Sequence, residues 1–420
     1  MKIVVVTQYF WPENFHINEV VRGLTERGHK VTVITGFPNY PHGHFFKGYG
    51  LNGPFRETHD GARVFRIPII PRGRGGGLRL ALNYASFSIA ASALAPFLQV
   101  GSIDAILVYQ ASPVTVAIPA LILSRLKHAP AVLWVQDLWP ESLVATGTVS
   151  SATVLAWVER LVRYIYLHSD LVLTKSYGFE KQVRRIAGSK PTVRYFPDWA
   201  GSVNPAATTQ RQFVDLPRGF RILFAGNIGV AQDFETILGA AELLRDHADI
   251  NWLVLGDGSQ RTWVEGRIRS ARLSSVHLLG QHPPETMPYY FGQADVLLVT
   301  LKNEGAFALT VPGKLRAYLA SGRPIVAALP GEGADLVRQA AAGVACEPGN
   351  AESLARAVLS LYEAPIEERL AMGARGLAFY KENYDRDVLL TRLESWLSEV
   401  AQKGSRADGY SRSSENRPYA

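Results

Sequence analysis

The chain has 420 residues, 47% hydrophobic and 19% charged, a composition that excludes a disordered polymer and suits a folded α/β protein of two domains of about 200 residues each. Its formal charge of +7 favours an anionic partner, yet no compact Lys/Arg block with interleaved aromatics occurs, which argues against a dedicated nucleic-acid binder. The single cysteine, Cys346, rules out an internal disulfide and a cysteine metal cage, and Met1–Val6 lacks a signal-peptide core, so a cytoplasmic location is expected.

In chain order, Lys2–Thr7 is a β-branched run, Glu19–Arg27 carries helical apolar spacing closed by Gly28-His29, and Lys30–Thr35 is β-branched again. This βαβ unit predicts a parallel sheet. The loop between, with Glu13, Asn14 and His16, lies at the carboxyl end of the first strand, where such sheets bind ligands. His16 is either a donor to phosphate or sugar or a plain structural histidine. Asn39, after the second strand, is placed to line an acceptor pocket.

Arg63, Arg66, Arg72, Arg74 and Arg79 then lead into Leu80–Ile103, which has no charged residue and is long enough on paper to cross a bilayer. Asn83, Ser86, Ser88, Ser92, Gln99, Ser102 and the helix-breaking Pro96 favour a helix that is buried or lies on a membrane surface, with the arginines as a shelf for anionic lipid. The competing reading is a solvated loop beside a core helix.

Further strands are predicted at Ala105–Tyr109, Ala131–Val135, Leu171–Thr174 and Val193–Phe196, with helices at Val114–Leu126 and Ala152–Leu167. Just past Val135, Asp137 and Glu141 can orient an acceptor hydroxyl or stabilise a cationic sugar ring, or merely cap the next helix. Asp198–Pro217 reads as a linker, after which strands recur at Arg221–Ala225, Asn251–Leu255, Val276–Leu279 and Val296–Thr300, with helices Phe234–Arg245 and Arg261–Ala271. The expected division is a Rossmann-like domain at 1–198 and a second at 199–386, a cleft between them, and a disordered tail at 403–420.

The turn after Ala225 holds Gly226, Asn227, Gly229 and Gln232, and Gly256-Asp257-Gly258 follows the next strand. Neither completes G-x-G-x-x-G with its acidic partner, which counts against a nicotinamide dinucleotide enzyme. Thr310-Val311-Pro312-Gly313-Lys314 opens a helix closed by Gly322 and Pro324. Free N–H groups, the helix dipole and Lys314 make an anion site fit for a diphosphate, the alternative being a capped helix with a solvated lysine. Metal-ligand spacing of His, Asp and Glu is missing, so the expectation is no metal.

With these motifs, and with Arg27–Thr35, Ala225–Gly229, Gly256–Gly258 and Tyr318–Pro324 in particular, the chain resembles the retaining GT-B enzymes of glycosyltransferase family 4 from Met1 to about Gln402. Gln136–Ser142, Pro38–Pro41 and Val311–Lys314 look most like its bacterial O-antigen and exopolysaccharide branch, which includes N-acetyl-fucosaminyl transferases. The resemblance implies a nucleoside diphosphate sugar donor, UDP-linked, and a polyprenyl-diphosphate-linked saccharide acceptor. It also implies that 1–198 is the acceptor side and 199–386 the nucleotide-sugar side, with a helix at 387–402 returning to the first, attachment to the inner membrane and no separate cofactor. It makes Asp137, His16 and Lys314 the candidate catalytic residues. Gly226, Asn227, Gly229, Gln232, Gly256, Thr310, Gly313 and Lys314 would bind the donor, and Glu13, Asn14, Asn39, Glu141 and Glu304 would orient sugar and acceptor.

The family's paired glutamates fall here on Leu309 and Ala317, with Glu304 five residues too early; Asn227 and Gln232 stand where Arg and Lys are usual, and Gln136 where His is. Lys314 is the candidate to replace the missing cations. Two rival readings are a UDP-sugar 2-epimerase of GT-B shape, which would act on donor alone, and a non-catalytic membrane-associated assembly protein, which would bind no donor.

Overall fold

Apolar strands buried on both faces require a parallel sheet with helices on each side, and each half of the chain builds one. The computed structural model describes residues 1–50, 52–73, 77–145, 149–201, 213–304 and 308–415, without the side chains of 145 and 404–415. Two units emerge: Met1–Pro197 together with Leu389–Ala420, and Asp198–Val388.

In the first unit the strands are β1 (Lys2–Val6), β2 (Lys30–Gly36), β3 (Arg56–His59), β4 (Ala62–Ile67), β5 (Ala105–Gln110), β6 (Ala131–Val135), β7 (Leu171–Thr174) and β8 (Val193–Tyr195). They lie in the order β3-β4-β2-β1-β5-β6-β7-β8, parallel except for the β3–β4 hairpin. The first helix, Ile17–Glu26, packs Val20, Val21 and Leu24 inward, and Gly28 takes φ +82 to turn the chain back into β2.

Strand β4 was hidden in the sequence because it carries two of the arginines expected on a lipid-facing shelf. Arg66 is in fact 2% exposed, paired to Glu57 and stacked on Tyr49, while Arg63 donates to Thr32 Oγ1 at 3.1 Å. Arg79 donates to the Pro71 carbonyl at 3.3 Å, and Arg74 lies outside the described residues. The shelf of five is therefore not one surface.

The uncharged segment forms the helix Gly77–Leu94, then a 3₁₀ turn, Ala95–Phe97, where Pro96 ends it. It carries apolar residues on its exposed side as well as its buried one. Its inner side buries Asn83, Phe87, Ser88 and Ala91, and Asn83 accepts from Gln8 at 2.7 Å while donating to the Ile70 carbonyl at 2.6 Å. Its outer stripe, Leu78, Leu82, Ala85, Ile89 and Ala93 at helical spacing, is exposed, with Leu78 77%, Ile89 70% and the following Phe97 83% accessible.

In the second unit β9 (Phe220–Ala225), β10 (Ile250–Leu255), β11 (Val276–Gly280), β12 (Val296–Thr300), β13 (Ile325–Ala328) and β14 (Gly343–Cys346) form a wholly parallel sheet ordered β11-β10-β9-β12-β13-β14. The last two strands have four residues each, mostly small, and gave no periodic signal in the sequence. The helix Gly313–Ser321 buries Leu315, Arg316, Tyr318 and Leu319 and closes on Gly322 at φ +69. The last helix, Arg386–Glu415, runs past Lys403, where composition predicted an unstructured tail. Leu389, Leu390, Leu393 and Leu397 are fully buried, and Glu394 pairs with Arg27 at 2.6 Å and His29 at 2.7 Å in the first unit.

Candidate active site

At the carboxyl ends of β9, β10 and β11 lies a cavity of about 480 Å³, entirely within the second unit. Its floor is two glycine turns in contact. Gly226 has φ +142 and Gly256 φ +145, and a Cβ on Gly256 would sit 1.8 Å from the Gly226 carbonyl oxygen. Only glycine fits there, for space as well as torsion.

Lys314, in the first turn of Gly313–Ser321, sends its ammonium into this cavity. A Cβ on Gly226 would meet Nζ at 2.8 Å, and Nζ lies 3.8 Å from the centroid of the buried Phe224 ring. Nζ is buried and has no hydrogen-bond partner among the described residues. That desolvation pulls its pKa down from 10.5 to about 7. A buried cation facing a ring and a glycine floor is costly unless an anion joins it.

The other walls are Asn227, Gln281, His282, Met287, Phe291 and Tyr318. Tyr318 Oη accepts from the Ala225 N–H at 2.9 Å, which ties the helix to the end of β9. His282 is held by the Leu279 carbonyl and Tyr290 Oη, each at 3.1 Å. None of Gln281, His282, Met287 or Phe291 was singled out from the sequence. The strand-end rule applied to β11, whose Gly280 turns at φ +80, is the signal that finds them.

Of the expected donor residues, Gly226, Asn227, Gly256 and Lys314 are brought together here. Gly229 lines a smaller neighbouring pocket, and Gln232 carries the carbonyl that accepts from Thr300 Oγ1 at 2.5 Å. Gly313 is exposed and Thr310 half-buried, and neither borders the cavity. Glu304 is exposed. Ala317 leaves the site without the family glutamate, and the neighbouring Arg316 is buried 3.9 Å from Asp198.

In the first unit the expected polar residues are largely engaged by the fold. Glu13 accepts from the Asn39 and Tyr40 N–H groups at 2.8 and 2.7 Å and from Phe10 N–H at 3.2 Å, and burial outweighs these bonds to push its carboxyl up to about 7. Asn39 is buried between the Phe37 carbonyl and the Arg72 N–H. Glu141 accepts from Gln182 and, at 3.1 Å, from Arg185. Asn14 is exposed, and His16 packs edge-on to Trp134 at 5.9 Å.

Asp137 differs. It lines a mostly apolar cavity of about 460 Å³ with Arg72, Leu80, Tyr84, Trp139 and Val158. Burial raises its pKa, against the pull of Lys175 and hydrogen bonds from Ser142, Trp139 and Ser112. Arg72 lies over the Tyr40 ring at 5.0 Å and reaches Tyr9 Oη at 3.4 Å; no carboxylate among the described residues pairs with it.

With two parallel α/β units and a glycine-floored cationic pocket in place, comparison with known proteins is decisive. Residues 14–199 match the glycosyl transferase 4-like domain family and residues 219–364 the glycosyl transferases group 1 family. The chain is built from two glycosyltransferase domains. These glycosyltransferase domains are similar to those of WbjE of Pseudomonas aeruginosa, named as a glycosyltransferase, at 26% identity over 65% of this chain and 71% of that protein. They are also similar to WcaI of Escherichia coli K12, named as a colanic acid biosynthesis glycosyl transferase, at 25% identity over 77% of this chain and 82% of WcaI.

Among solved structures, sucrose-phosphate synthase of Thermosynechococcus elongatus superposes with a TM-score of 0.69 at 17% identity, covering 95% of this chain and 98% of its own. Anabaena Alr3699/HepE, solved with UDP and glucose, gives 0.65 at 14%, covering 95% and 100%. The GT-B fold class expected from the sequence holds for this glycosyltransferase.

Proposed function

We propose that the protein is a retaining, metal-independent hexosyltransferase. It would move an N-acetylated amino or deoxy sugar from a UDP-linked donor to a lipid-linked saccharide of a surface polysaccharide, at the cytoplasmic face of the inner membrane. The observation that carries this reading is the buried ammonium of Lys314 over the glycine floor of the second unit, without a hydrogen-bond partner among the described residues. A diphosphate entering there supplies the missing counter-charge and restores the lysine to its protonated form, and low-dielectric surroundings make that contact strong. The bond from the anomeric carbon to the β-phosphate oxygen breaks while the acceptor oxygen bonds to the same face. The acceptor's proton passes to the departing phosphate, and Asp137 and His16 orient the sugar and hydroxyl.

UDP in the HepE structure supports the donor class, and WcaI's assignment to colanic acid supports the polysaccharide. The exposed apolar stripe of the helix Gly77–Leu94 supports a membrane-resting first unit. Cationic handling of the leaving group rests on Lys314 and the start of its helix. The test is a panel of sugar nucleotides offered with a lipid-diphosphate saccharide, the product anomer being read by NMR. Transfer with retention is expected, and an inverted product or a new sugar nucleotide formed from donor alone overturns the reading.

A further inference from the structure

We propose that the first unit carries a separate binding site for a multiply charged phosphate, at the amino ends of its strands. A cavity of about 490 Å³ opens there, with Lys2, His29, Lys30, Arg63, Val100 and Ser102 among its walls. Lys2 starts β1, a strand of five residues, so about 15 Å of sheet separates it from the carboxyl ends that bear the candidate active-site residues. The register of the sheet makes this cavity cationic. Lys2 and Lys30 are partners in the parallel β1–β2 ladder, so their side chains leave the same face from backbones about 4.8 Å apart. Arg63 is the partner of Thr32, two residues beyond Lys30 on that face. Like charges side by side on one sheet face repel, and a merely solvated surface gains more from alternating their signs.

Neighbouring groups leave that charge unmatched. Lys2 Nζ donates to Ser102 Oγ at 2.6 Å and Arg63 Nη2 to Thr32 Oγ1 at 3.1 Å, both neutral hydroxyls. The carboxylates close by are engaged elsewhere: Asp104 accepts the Lys2 backbone N–H at 2.7 Å, and Glu394 holds Arg27 and His29 at 2.6 and 2.7 Å. Among the described residues no carboxylate pairs with the side chain of Lys2, Lys30 or Arg63. A phosphate suits this donor set, because a planar guanidinium grips two of its oxygens while two ammonium groups add point charges. A lone carboxylate carries too little charge for three cations, and a cavity of this size suits a small molecule or a headgroup rather than a polymer. Val100 and Ser102 follow Phe97 by a few residues, and Phe97 is exposed, so a phosphate borne on a lipid reaches the cavity as well as a free one.

The experiment acetylates the full chain with an N-hydroxysuccinimide ester and reads each lysine by mass spectrometry, so pyrophosphate entering the second unit is scored separately. Inorganic pyrophosphate is expected to slow acetylation of Lys2 and Lys30 about fivefold or more relative to sodium chloride of equal ionic strength. The exposed Lys47, Lys127 and Lys190 are expected to react as before. In Arg63→Gln the concentration giving half-protection rises about tenfold. Lys30→Gln, relieved of a like-charged neighbour, is expected to melt about 1 °C or more higher in chloride and to lose the protection of Lys2. A second arm replaces pyrophosphate with vesicles of phosphatidylglycerol and phosphatidylcholine in equal parts. Protection by pyrophosphate assigns the site to a free phosphate compound, and protection by vesicles alone assigns it to a lipid headgroup. Protection of neither lysine in either arm, equal protection of every exposed lysine, or protection untouched by Arg63→Gln overturns the proposal.

Discussion

The two units use buried charge in opposite ways. In the first, the carboxylate of Glu13 is sealed from water but receives three backbone N–H groups from two loops. In the second, the ammonium of Lys314 is equally sealed and receives nothing among the described residues. A buried charge whose hydrogen bonds all come from the fold is scaffolding, since its partners are internal, even where burial still outweighs them as it does at Glu13. A buried charge with none made stores an unmet demand, which the proposed diphosphate would meet. The contrast lies in partners, not in burial.

The strongest way to break the contrast is at Lys314. Lys314→Met is expected to lower kcat/KM for the donor by about 100-fold or more, on the order of 3 kcal/mol, while raising the stability of the free protein by about 1 kcal/mol, since an unpaired buried charge is gone. Kinetics together with denaturant unfolding check both signs, and a Lys314→Met protein with normal turnover would dissolve the distinction. Glu13→Ala is expected to do the reverse, costing about 2–3 kcal/mol in unfolding free energy because three N–H donors lose their acceptor, with little change in UDP affinity. Loss of UDP binding in a protein as stable as the original would show Glu13 to be part of the site after all.

A pH series sharpens the comparison further. Lys314 titrates near 7 in the free protein, and a bound diphosphate pulls its pKa back up, so binding takes up a proton above neutrality. The donor KM is therefore expected to rise with pH above about 7, by up to about tenfold per unit, and to be flat below it; a flat profile to pH 9 counts against a titrating cation. Glu141→Gln, which keeps shape and the contact to Gln182 but loses the charge opposite Arg185, is expected to cost about 1 kcal/mol of stability or less and to leave kcat unaltered. Smallest of all is the effect of a chelator, expected to be none, and activity lost with EDTA and restored by magnesium would replace the cationic account with a metal one.

Most of the sheet was legible because its strands are buried on both faces and so read as unbroken apolar runs: β1, β5, β6, β9 and β10 are all of this kind. Strand β4 was not, because Arg63 and Arg66 look like surface until Glu57 and Tyr49 are found around the latter. In the site, the helix start at Lys314 could be read since charge, glycine and proline are adjacent in sequence. The contacts of Glu13 and Glu141 within the fold could not be read from the sequence. Apart from the Phe10 N–H, their partners lie 26 to 44 residues away, and nothing local distinguishes a carboxylate that waits for a sugar from one that waits for Asn39 or Arg185. His282, Met287 and Phe291 were missed because an apolar wall has no motif; it exists only once three strands end side by side.

The outward leucines of Gly77–Leu94 also govern how the protein behaves in a test tube. In plain buffer that stripe has only another copy of the chain, or the vessel wall, to cover it, so apparent size will drift with protein concentration and shrink on adding mild detergent. An oligomer measured without detergent then reports that uncovered stripe, and storage, assay and crystallisation conditions follow from one helix.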